Sequence, residues 1–172
     1  MITEEKNMVL IRKATCWDLP KILSLYQLLD TAYDHEPASK VAEDVVWEKL
    51  MQDPRQHLLV AEVAGGVLGT LTVIIIPNIG HDGCPWAAIE NFVVEEACRG
   101  TGIGKKLMDA ATKLCQDYGC YKIVLSSNLA RQQSHEFYRH LGWQQSHIGF
   151  SIAMPQEPVD SCNGKSKQGK KQ

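Results

Sequence analysis

Apolar residues recur along the chain with two different spacings, and these spacings predict its helices and strands. After residue 18, apolar side chains follow at intervals of three and four, which predicts a helix with one apolar face. Continuous apolar runs predict strands, and two of these runs are joined by Ala64-Gly65-Gly66, which is typical of a hairpin. The pattern predicts strands over 8–13, 57–63, 67–76, 87–94, 121–126 and 143–152, and helices over 19–30, 37–53, 102–118 and 132–141. Because strands and helices occur in mixed order, with only two strand–helix–strand crossovers, we expect an α+β domain on a mixed sheet.

The composition is that of an ordinary globular chain, with 44% hydrophobic and 22% charged residues among 172. This length fits one domain, which we place over 1–155, followed by a basic flexible tail over 156–172. The longest apolar run, 73–76, is far shorter than the roughly 20 residues of a membrane span. Residues 1–5 carry acids where a secretion signal carries basic side chains. We therefore expect a cytoplasmic protein that does not bind membranes.

Charge and cysteine usage narrow the candidate partners. Residues 161–172 contain four lysines and no acid, so the rest of the chain has 14 basic and 20 acidic residues, a net charge of −6. An acidic body argues against nucleic-acid binding and favours a cationic small substrate. The six cysteines form no C-x-x-C pair, so we expect reduced thiols and no metal site.

A glycine-rich turn between a predicted strand and a predicted helix is the segment most informative about chemistry. Glycines at 100, 102 and 104 let the backbone approach a bulky anion, and Arg99 and Lys105 add positive charge. The first N–H groups of the helix have no intrahelical acceptor and lie at the positive end of its dipole. These features predict a pyrophosphate cradle.

The spacing of the glycines excludes two other phosphate-binding motifs. Gly100-x-Gly102-x-Gly104 lacks the third glycine of the dinucleotide fingerprint at its required position. Gly104-Lys105-Lys106 lacks both the final Ser or Thr and the first glycine of a P-loop. A glycine-rich turn without any ligand stays open at this point.

Three segments, in this order, resemble one enzyme family. The residues Arg99-Gly100-Thr101-Gly102-Ile103-Gly104 are similar to the acetyl-CoA pyrophosphate signature, R/Q-x-x-G-x-G/A, of the GNAT N-acetyltransferase superfamily. Residues 117–125 resemble the helix end and fifth strand of that family, and residues 137–143 (FYRHLGW) resemble its F-Y-x-x-x-G-F segment. The resemblance covers about residues 8–153. It implies a mixed, mostly antiparallel central sheet flanked by helices, with the fourth and fifth strands splayed apart.

The resemblance implies acetyl-CoA as the cosubstrate. In the family, pantetheine adds to the free edge of the fourth strand, and backbone amides of the turn hold the pyrophosphate. Two polar residues after the fifth strand fall where the family often contacts the cofactor, although a loop Asn and a helix-capping Ser explain them equally well. The expected cofactor-binding residues are Phe92, Val93, Val94, Arg99, Gly100, Thr101, Gly102, Ile103, Gly104, Lys105, Asn128 and Ser134.

Two residues are candidates for proton transfer. Aminolysis of a thioester expels a thiolate, and the phenol of Tyr138, in the F-Y-x-x-x-G match, can stabilise or protonate it. An acceptor amine must lose a proton before it attacks, and Glu90 on the fourth strand can accept that proton. Alternation along the strand predicts that Glu90, Phe92 and Val94 share one face. The alternatives are a core tyrosine and a solvent-facing or ion-paired glutamate.

The acceptor is the least determined part of the prediction. Three residues are candidate substrate contacts, namely Tyr33 between the first two helices, His81 in the loop 77–85 and Asn91 on the fourth strand. We expect Tyr33 and the loop 77–85 to border the acceptor cleft. Glu90-Asn91 resembles the Glu-Asp pair of glucosamine-phosphate N-acetyltransferases, with Asn91 in place of Asp, which weakens the case for a sugar phosphate. We expect direct acetyl transfer to a small primary amine of the aminoalkylphosphonate, amino-sugar, aminoglycoside or polyamine type. Peptide acetylation and a non-catalytic CoA-binding domain stay open as alternatives, and a homodimer is a further prediction.

Overall fold

A mixed five-stranded sheet forms the centre of the molecule. The computed structural model describes residues 8–29 and 40–152, with side chains from residue 44 onward in the second range. Within these ranges the sheet has the order β1-β2-β3-β4-β5, and only the β4–β5 pair is parallel. The strands are β1 (Leu10–Lys13), β2 (Gln56–Val63), β3 (Gly66–Ile76), β4 (Trp86–Val94) and β5 (Ile123–Leu125). The predicted fold class, a mostly antiparallel mixed sheet with helices, is confirmed.

Helices cover both faces of this sheet because alternate residues of the long central strands are apolar on each side. On β3, Leu71 and Val73 pack under α3, whereas the threonines between and beside them face α1. α1 contributes Ile22 and Leu25 to the second face, and α4 packs beside α3 through Phe137. The helices are α1 (Leu19–Tyr26), α2 (Lys40–Gln52), α3 (Ile103–Asp117) and α4 (Gln132–His140).

β4 separates from β5 halfway along its length. The two strands pair only from Ala87–Ile89 to Ile123–Leu125, and beyond Ile89 the described residues place no strand on that edge of β4. A β-bulge at Asn91, whose φ is +54°, begins the unpaired stretch and shifts the register with β3. The strands therefore diverge, as the resemblance implied.

The bulge also overturns the predicted alternation along β4. Ile89, Phe92 and Val94 all pack against the core under α3, although Ile89 and Phe92 are three residues apart. Glu90 lies opposite Thr72 on the α1 face, so the prediction that Glu90 and Phe92 share a face is wrong. One extra residue in a strand moves every following side chain to the other face.

Several predicted boundaries differ from the structure, and the predicted last strand is absent. Residues 143–152 have no regular secondary structure, and every residue from 144 to 152 is exposed. The first helix ends at Tyr26, before the predicted end at residue 30, and β5 is three residues shorter than predicted. The predicted start of the second helix at residues 37–39 and the tail over 156–172 lie outside the described residues.

The described part of the chain contains no helix that is long and apolar enough to cross a membrane. Its cysteines are free thiols, namely Cys16, Cys84, Cys98, Cys115 and Cys120.

Candidate active site

The turn between β4 and α3 presents a run of unused backbone donors. The chain leaves β4 through a short 3₁₀ helix (Glu96–Cys98), and Thr101 closes the turn by donating its hydroxyl to the Cys98 carbonyl at 2.6 Å. The first hydrogen bond of α3 runs from the Lys106 N–H to the Gly102 carbonyl. The six N–H groups of residues 100–105 have no acceptor among the described residues. Such a run at the start of a helix forms a binding site for an anion.

Two of the three glycines leave this run of donors open, and the third has a different role. Gly100 and Gly102 have φ values of +78° and +87°, and a Cβ on either would meet no atom within 4 Å. A Cβ at Gly104 would instead lie 3.2 Å from Phe92 Cζ and 3.3 Å from Phe137 Cζ. Gly104 therefore allows α3 to pack closely on two aromatic rings, whereas Gly100 and Gly102 permit the turn and leave its surface accessible.

Basic side chains surround the turn. Arg99 Nε donates to the Val94 carbonyl at 3.4 Å, and its guanidinium lies 3.7 Å from the Glu96 carboxylate. Lys105 pairs with Asp109 at 2.6 Å and also lines a cavity of about 370 Å³. This cavity runs along α3 and is closed on its other side by His140, Leu141 and Trp143. Lys105 therefore belongs both to the glycine-rich turn and to the lining of the cavity along α3.

Tyr138 lies within a cluster of aromatic rings that includes Trp143, a residue of the cavity lining. Its ring centroid is 5.5 Å from Phe137, 6.2 Å from Phe92 and 6.3 Å from Trp143. Burial raises the pKa of Tyr138 to about 12, against a smaller lowering by the charge of Arg131. Its phenol is therefore protonated at neutral pH and can donate a hydrogen bond or a proton. Arg131 is fixed by a hydrogen bond to the carbonyl of Leu29, beyond α1.

The opposite face of β4 contains a second polar group of residues. The side chain of Glu90 is open to solvent on one side, yet partial burial raises its pKa above the usual range. Beside it, the hydroxyl of Tyr26 faces the side chains of Asn91 and Thr72. Burial raises the pKa of Tyr26, and these two polar neighbours oppose the rise. The Oγ1 of Thr72 is itself buried without a hydrogen-bond partner among the described residues.

Sequence reasoning missed Tyr26 and Thr72 as site residues. The apolar spacing after residue 18 includes Tyr26 only as one residue of an apolar helix face, and the apolar run 67–76 includes Thr72 without singling it out. The signal for Thr72 was available, because Thr70 and Thr72 place hydroxyls on one face of a strand that is otherwise apolar. No local signal connects Tyr26 to Asn91, because that proximity arises only from the packing of α1 on the sheet.

The structure places the remaining predicted site residues in different parts of the molecule. Asn128 accepts a hydrogen bond from the Ala130 N–H at 2.9 Å, which fixes the turn into α4, and Ser134 lies in the first turn of that helix. His81 instead stacks on Tyr121, with ring centroids 3.9 Å apart, before β4 and β5 begin. It therefore lies at the end of the strands away from the glycine-rich turn. Tyr33 lies outside the described residues.

The two candidate proton-transfer groups lie on opposite faces of β4. Tyr138 packs with Phe92 on the α3 face, whereas Glu90 lies on the α1 face. A protonated phenol therefore lies on one face of β4, and a carboxylate with a raised pKa lies on the other.

Comparison with known proteins identifies relatives of this chain. The model of the acetyltransferase (GNAT) family matches residues 22–143. Aminoalkylphosphonate N-acetyltransferase of Salmonella typhimurium is 29% identical over 146 residues, which cover 84% of this chain and 90% of that enzyme. Glucosamine 6-phosphate N-acetyltransferase of Trypanosoma brucei brucei is 32% identical over 80 residues, or 46% of this chain, and the match spans only 52% of that enzyme.

A solved structure from Agrobacterium tumefaciens, described as an acetyltransferase, has the same fold with a TM-score of 0.78. It is 31% identical in sequence, and the match covers 84% of this chain and 99% of that one.

Proposed function

The chain belongs to the acetyltransferase (GNAT) family and is an acyltransferase, and we propose that it transfers an acetyl group from acetyl-CoA directly to a primary amine of a small molecule. The observation that carries this proposal is the run of six backbone N–H groups at residues 100–105 without an acceptor among the described residues. This run begins next to the edge of β4 that β5 leaves unpaired.

The residues of the turn, the free edge of β4 and the cavity along α3 fit acetyl-CoA. The N–H groups of residues 100–105 would hold the pyrophosphate, with Arg99 and Lys105 adding positive charge. The backbone of Phe92, Val93 and Val94, on the edge of β4 that β5 leaves free, would bind the amide-containing pantetheine arm as an added strand would. The cavity along α3, whose lining includes Lys105 and Lys113, would take the remaining phosphate-bearing part of the molecule. Asn128 and Ser134 are proposed as additional contacts from the side of α4.

The chain's own residues would supply proton transfer. Acetyl-CoA provides the acetyl group as a thioester, with the CoA thiolate as leaving group. The Tyr138 hydroxyl donates a hydrogen bond or its proton to the departing sulfur from the α3 face. Glu90, on the α1 face, accepts the proton that the ammonium of the acceptor must lose, directly or through one water. Its raised pKa makes its carboxylate a better base near neutral pH than an ordinary surface glutamate.

Charges near the α1 face support a small acceptor that carries an ammonium group. Glu90 supplies one negative charge there, and the acidic body of the chain attracts cations. Arg131 reaches from the start of α4 to the Leu29 carbonyl and adds a positive charge between α4 and the end of α1. An acceptor with an amine at one end and an anionic group at the other would match both charges. We therefore place an aminoalkylphosphonate first among the four acceptor types, ahead of amino sugars, aminoglycosides and polyamines.

The proposal is tested by measuring the release of CoA thiol from acetyl-CoA with a panel of amines. The panel contains an aminoalkylphosphonate, glucosamine 6-phosphate, an aminoglycoside, a polyamine and an N-terminal peptide. We expect turnover with a small amine and the largest kcat/KM with the aminoalkylphosphonate. Turnover with the peptide alone would replace the proposal by protein acetylation. Binding of acetyl-CoA by calorimetry without turnover on any amine would indicate a non-catalytic CoA-binding domain.

A further inference from the structure

A second cavity lies at the end of the sheet away from the glycine-rich turn. Its lining includes Lys13 at the end of β1, His57 at the start of β2 and Tyr118 directly after α3. The glycine-rich turn lies at the other end of α3, whose 15 residues span about 22 Å. The cavity has a volume of about 200 Å³, the share of about seven molecules of liquid water. It is therefore separate from the proposed acetyl-CoA site and has room for a small molecule.

His57 brings an unsatisfied polar atom to this cavity. The residue is 6% exposed, and its Nε2 is buried without a hydrogen-bond partner among the described residues. Burial and the nearby charge of Lys13 lower the pKa of His57, so its imidazole is neutral at pH 7. Each nitrogen of a neutral imidazole either donates or accepts a hydrogen bond, and a buried Nε2 without a partner costs free energy. A bound group that pairs with Nε2 would recover that free energy.

The charge that this cavity leaves available is positive. Lys13 is exposed, and its ammonium has no ion-pair partner in the parts of the chain that the structure describes. Asp53 also lines the cavity, but its two carboxylate oxygens already accept hydrogen bonds from the Arg55 guanidinium at 3.1 and 3.2 Å. Met51 and Leu58 add apolar side chains to the lining. This set of residues suits an anion with a short carbon skeleton.

We propose that this cavity binds a small 2-hydroxy acid, with its carboxylate on Lys13 and its hydroxyl on His57 Nε2. A hydroxyl both donates and accepts hydrogen bonds, so it pairs with Nε2 in either tautomer of the imidazole. The ring of Tyr118 packs against that of His57, with centroids 5.1 Å apart. Tyr118 is 43% exposed, and its hydroxyl makes one long hydrogen bond, of 3.4 Å, to the Pro54 carbonyl. Because this ring is weakly held, it can turn aside and open Nε2 to the hydroxyl of the ligand.

The test follows backbone amide NMR shifts of the full chain, without acetyl-CoA or amine, during titration with three ligands of similar size at pH 7 and constant ionic strength. Lactate is the 2-hydroxy acid, propionate lacks the hydroxyl, and lactamide lacks the charge. We expect lactate to bind with a dissociation constant of about 1 mM and to shift the amides of residues 13 and 56–58 rather than those of residues 100–105. Propionate should bind about two- to tenfold more weakly, because it lacks one hydrogen bond. Lactamide should bind about tenfold more weakly or less, because it lacks the ion pair with Lys13.

Three variants assign the two contacts. His57→Phe keeps a ring in the buried position but removes Nε2, so lactate and propionate should then bind equally. Lys13→Gln should weaken lactate binding about tenfold and leave lactamide binding unchanged. Lys49→Gln replaces an exposed lysine outside the cavity lining, so it is the matched control and should change neither affinity.

Several results would overturn the proposal. In the wild type these are lactate shifts confined to residues 100–105, the absence of saturable binding, and equal affinities for lactate and propionate. In the variants they are a preference for lactate over propionate that survives His57→Phe, and lactate binding that Lys13→Gln weakens no more than Lys49→Gln does.

Discussion

The two faces of β4 are built from different parts of the chain. On the α3 face, the proposed anion-binding turn consists of consecutive backbone N–H groups between residues 100 and 105. On the α1 face, Glu90 and Asn91 come from β4, Thr72 comes from β3 and Tyr26 from α1. The first arrangement is local and made of backbone, whereas the second is assembled from side chains that are distant in sequence.

This difference explains why the cofactor side is easier to recognise than the acceptor side. A backbone cradle requires only a few glycines and a helix start, so it leaves a short motif in the sequence. A side-chain site changes with each residue that contributes to it, and substrate choice can therefore vary while the fold and the cradle stay the same. We expect substitutions on the α3 face to affect acetyl-CoA binding or turnover, and substitutions on the α1 face to affect the acceptor.

The largest effect is expected at Tyr138. Tyr138→Phe should lower kcat by about 10²-fold or more, the effect of losing one positioned acid, with acetyl-CoA affinity unchanged. Because the pKa of Tyr138 is about 12, wild-type activity should show no loss from its ionisation at neutral or mildly alkaline pH. Tyr121→Phe, at the other end of the strands, is the control. A kcat within about twofold of wild type would make Tyr138 a core aromatic residue only.

Gly102→Val should weaken acetyl-CoA binding about tenfold or more, because the side chain occupies the open surface of the turn and disfavours its positive φ. Gly119→Val is a matched control, because Gly119 has a φ of +69°, equally open surroundings and a place at the other end of α3. The free energy of unfolding of Gly119→Val should fall about as much as that of Gly102→Val. Calorimetry should show that Gly119→Val keeps its affinity for acetyl-CoA. Equal affinity losses in both variants would mean that strain, rather than blocked access, is responsible.

Gly104→Val is not a test of the cradle. Its side chain would meet the rings of Phe92 and Phe137, so any loss of acetyl-CoA binding would follow from altered packing of α3.

Glu90→Gln tests the α1 face. If Glu90 is the base, kcat/KM of the wild type should rise with pH through an ionisation above the ordinary pKa of glutamate, because burial raises that pKa and only the carboxylate accepts a proton. The variant should lose this dependence together with about tenfold or more in kcat. A higher KM for the amine with unchanged kcat would instead assign Glu90 to electrostatic binding. Glu136→Gln, an exposed change on α4, should alter neither.

Tyr26→Phe should have a smaller effect that is confined to the acceptor. Removing the hydroxyl that faces Asn91 and Thr72 should raise KM for the amine by about two- to tenfold, the value of one hydrogen bond, with acetyl-CoA affinity unchanged. Tyr118→Phe removes a hydroxyl at the far end of α3 and is the control. An equal change in acetyl-CoA affinity would show that the two faces of β4 are not independent.

The smallest effect is expected at His57. It concerns folding stability at low pH, whereas the titration of Glu90 concerns activity. Burial and the nearby charge of Lys13 lower the pKa of His57, so the unfolded chain binds its proton more readily than the folded one. The free energy of unfolding should therefore decrease as pH falls below the ordinary histidine value of 6.5, by up to about 1 kcal/mol per pH unit. His57→Phe should reduce this dependence in urea unfolding at pH 7 and pH 5. An unchanged dependence would exclude His57 as its source.

The sequence by itself determined most of the elements and the glycine-rich turn, because both depend on local patterns. Apolar spacing predicted α3, β2, β3 and β4 close to their observed bounds, and the glycines at 100 and 102 occupy positions whose φ is positive. The same local logic failed for residues 143–152, where alternation predicted a strand that the single chain does not form. A strand requires a neighbouring edge, and no pattern within one segment states which edge is available.

Tertiary structure alone decided which side chains meet around β4. The bulge at Asn91 reversed the faces of the residues after it, placed Glu90 away from Phe92, and brought Asn91 to Tyr26. The structure also shows that Gly104 packs against two aromatic rings. The glycine motif alone does not distinguish Gly104 from Gly100 and Gly102, which face open space. The physical reason is that backbone conformation is set within a few residues, whereas side-chain contacts depend on the packing of whole elements against one another.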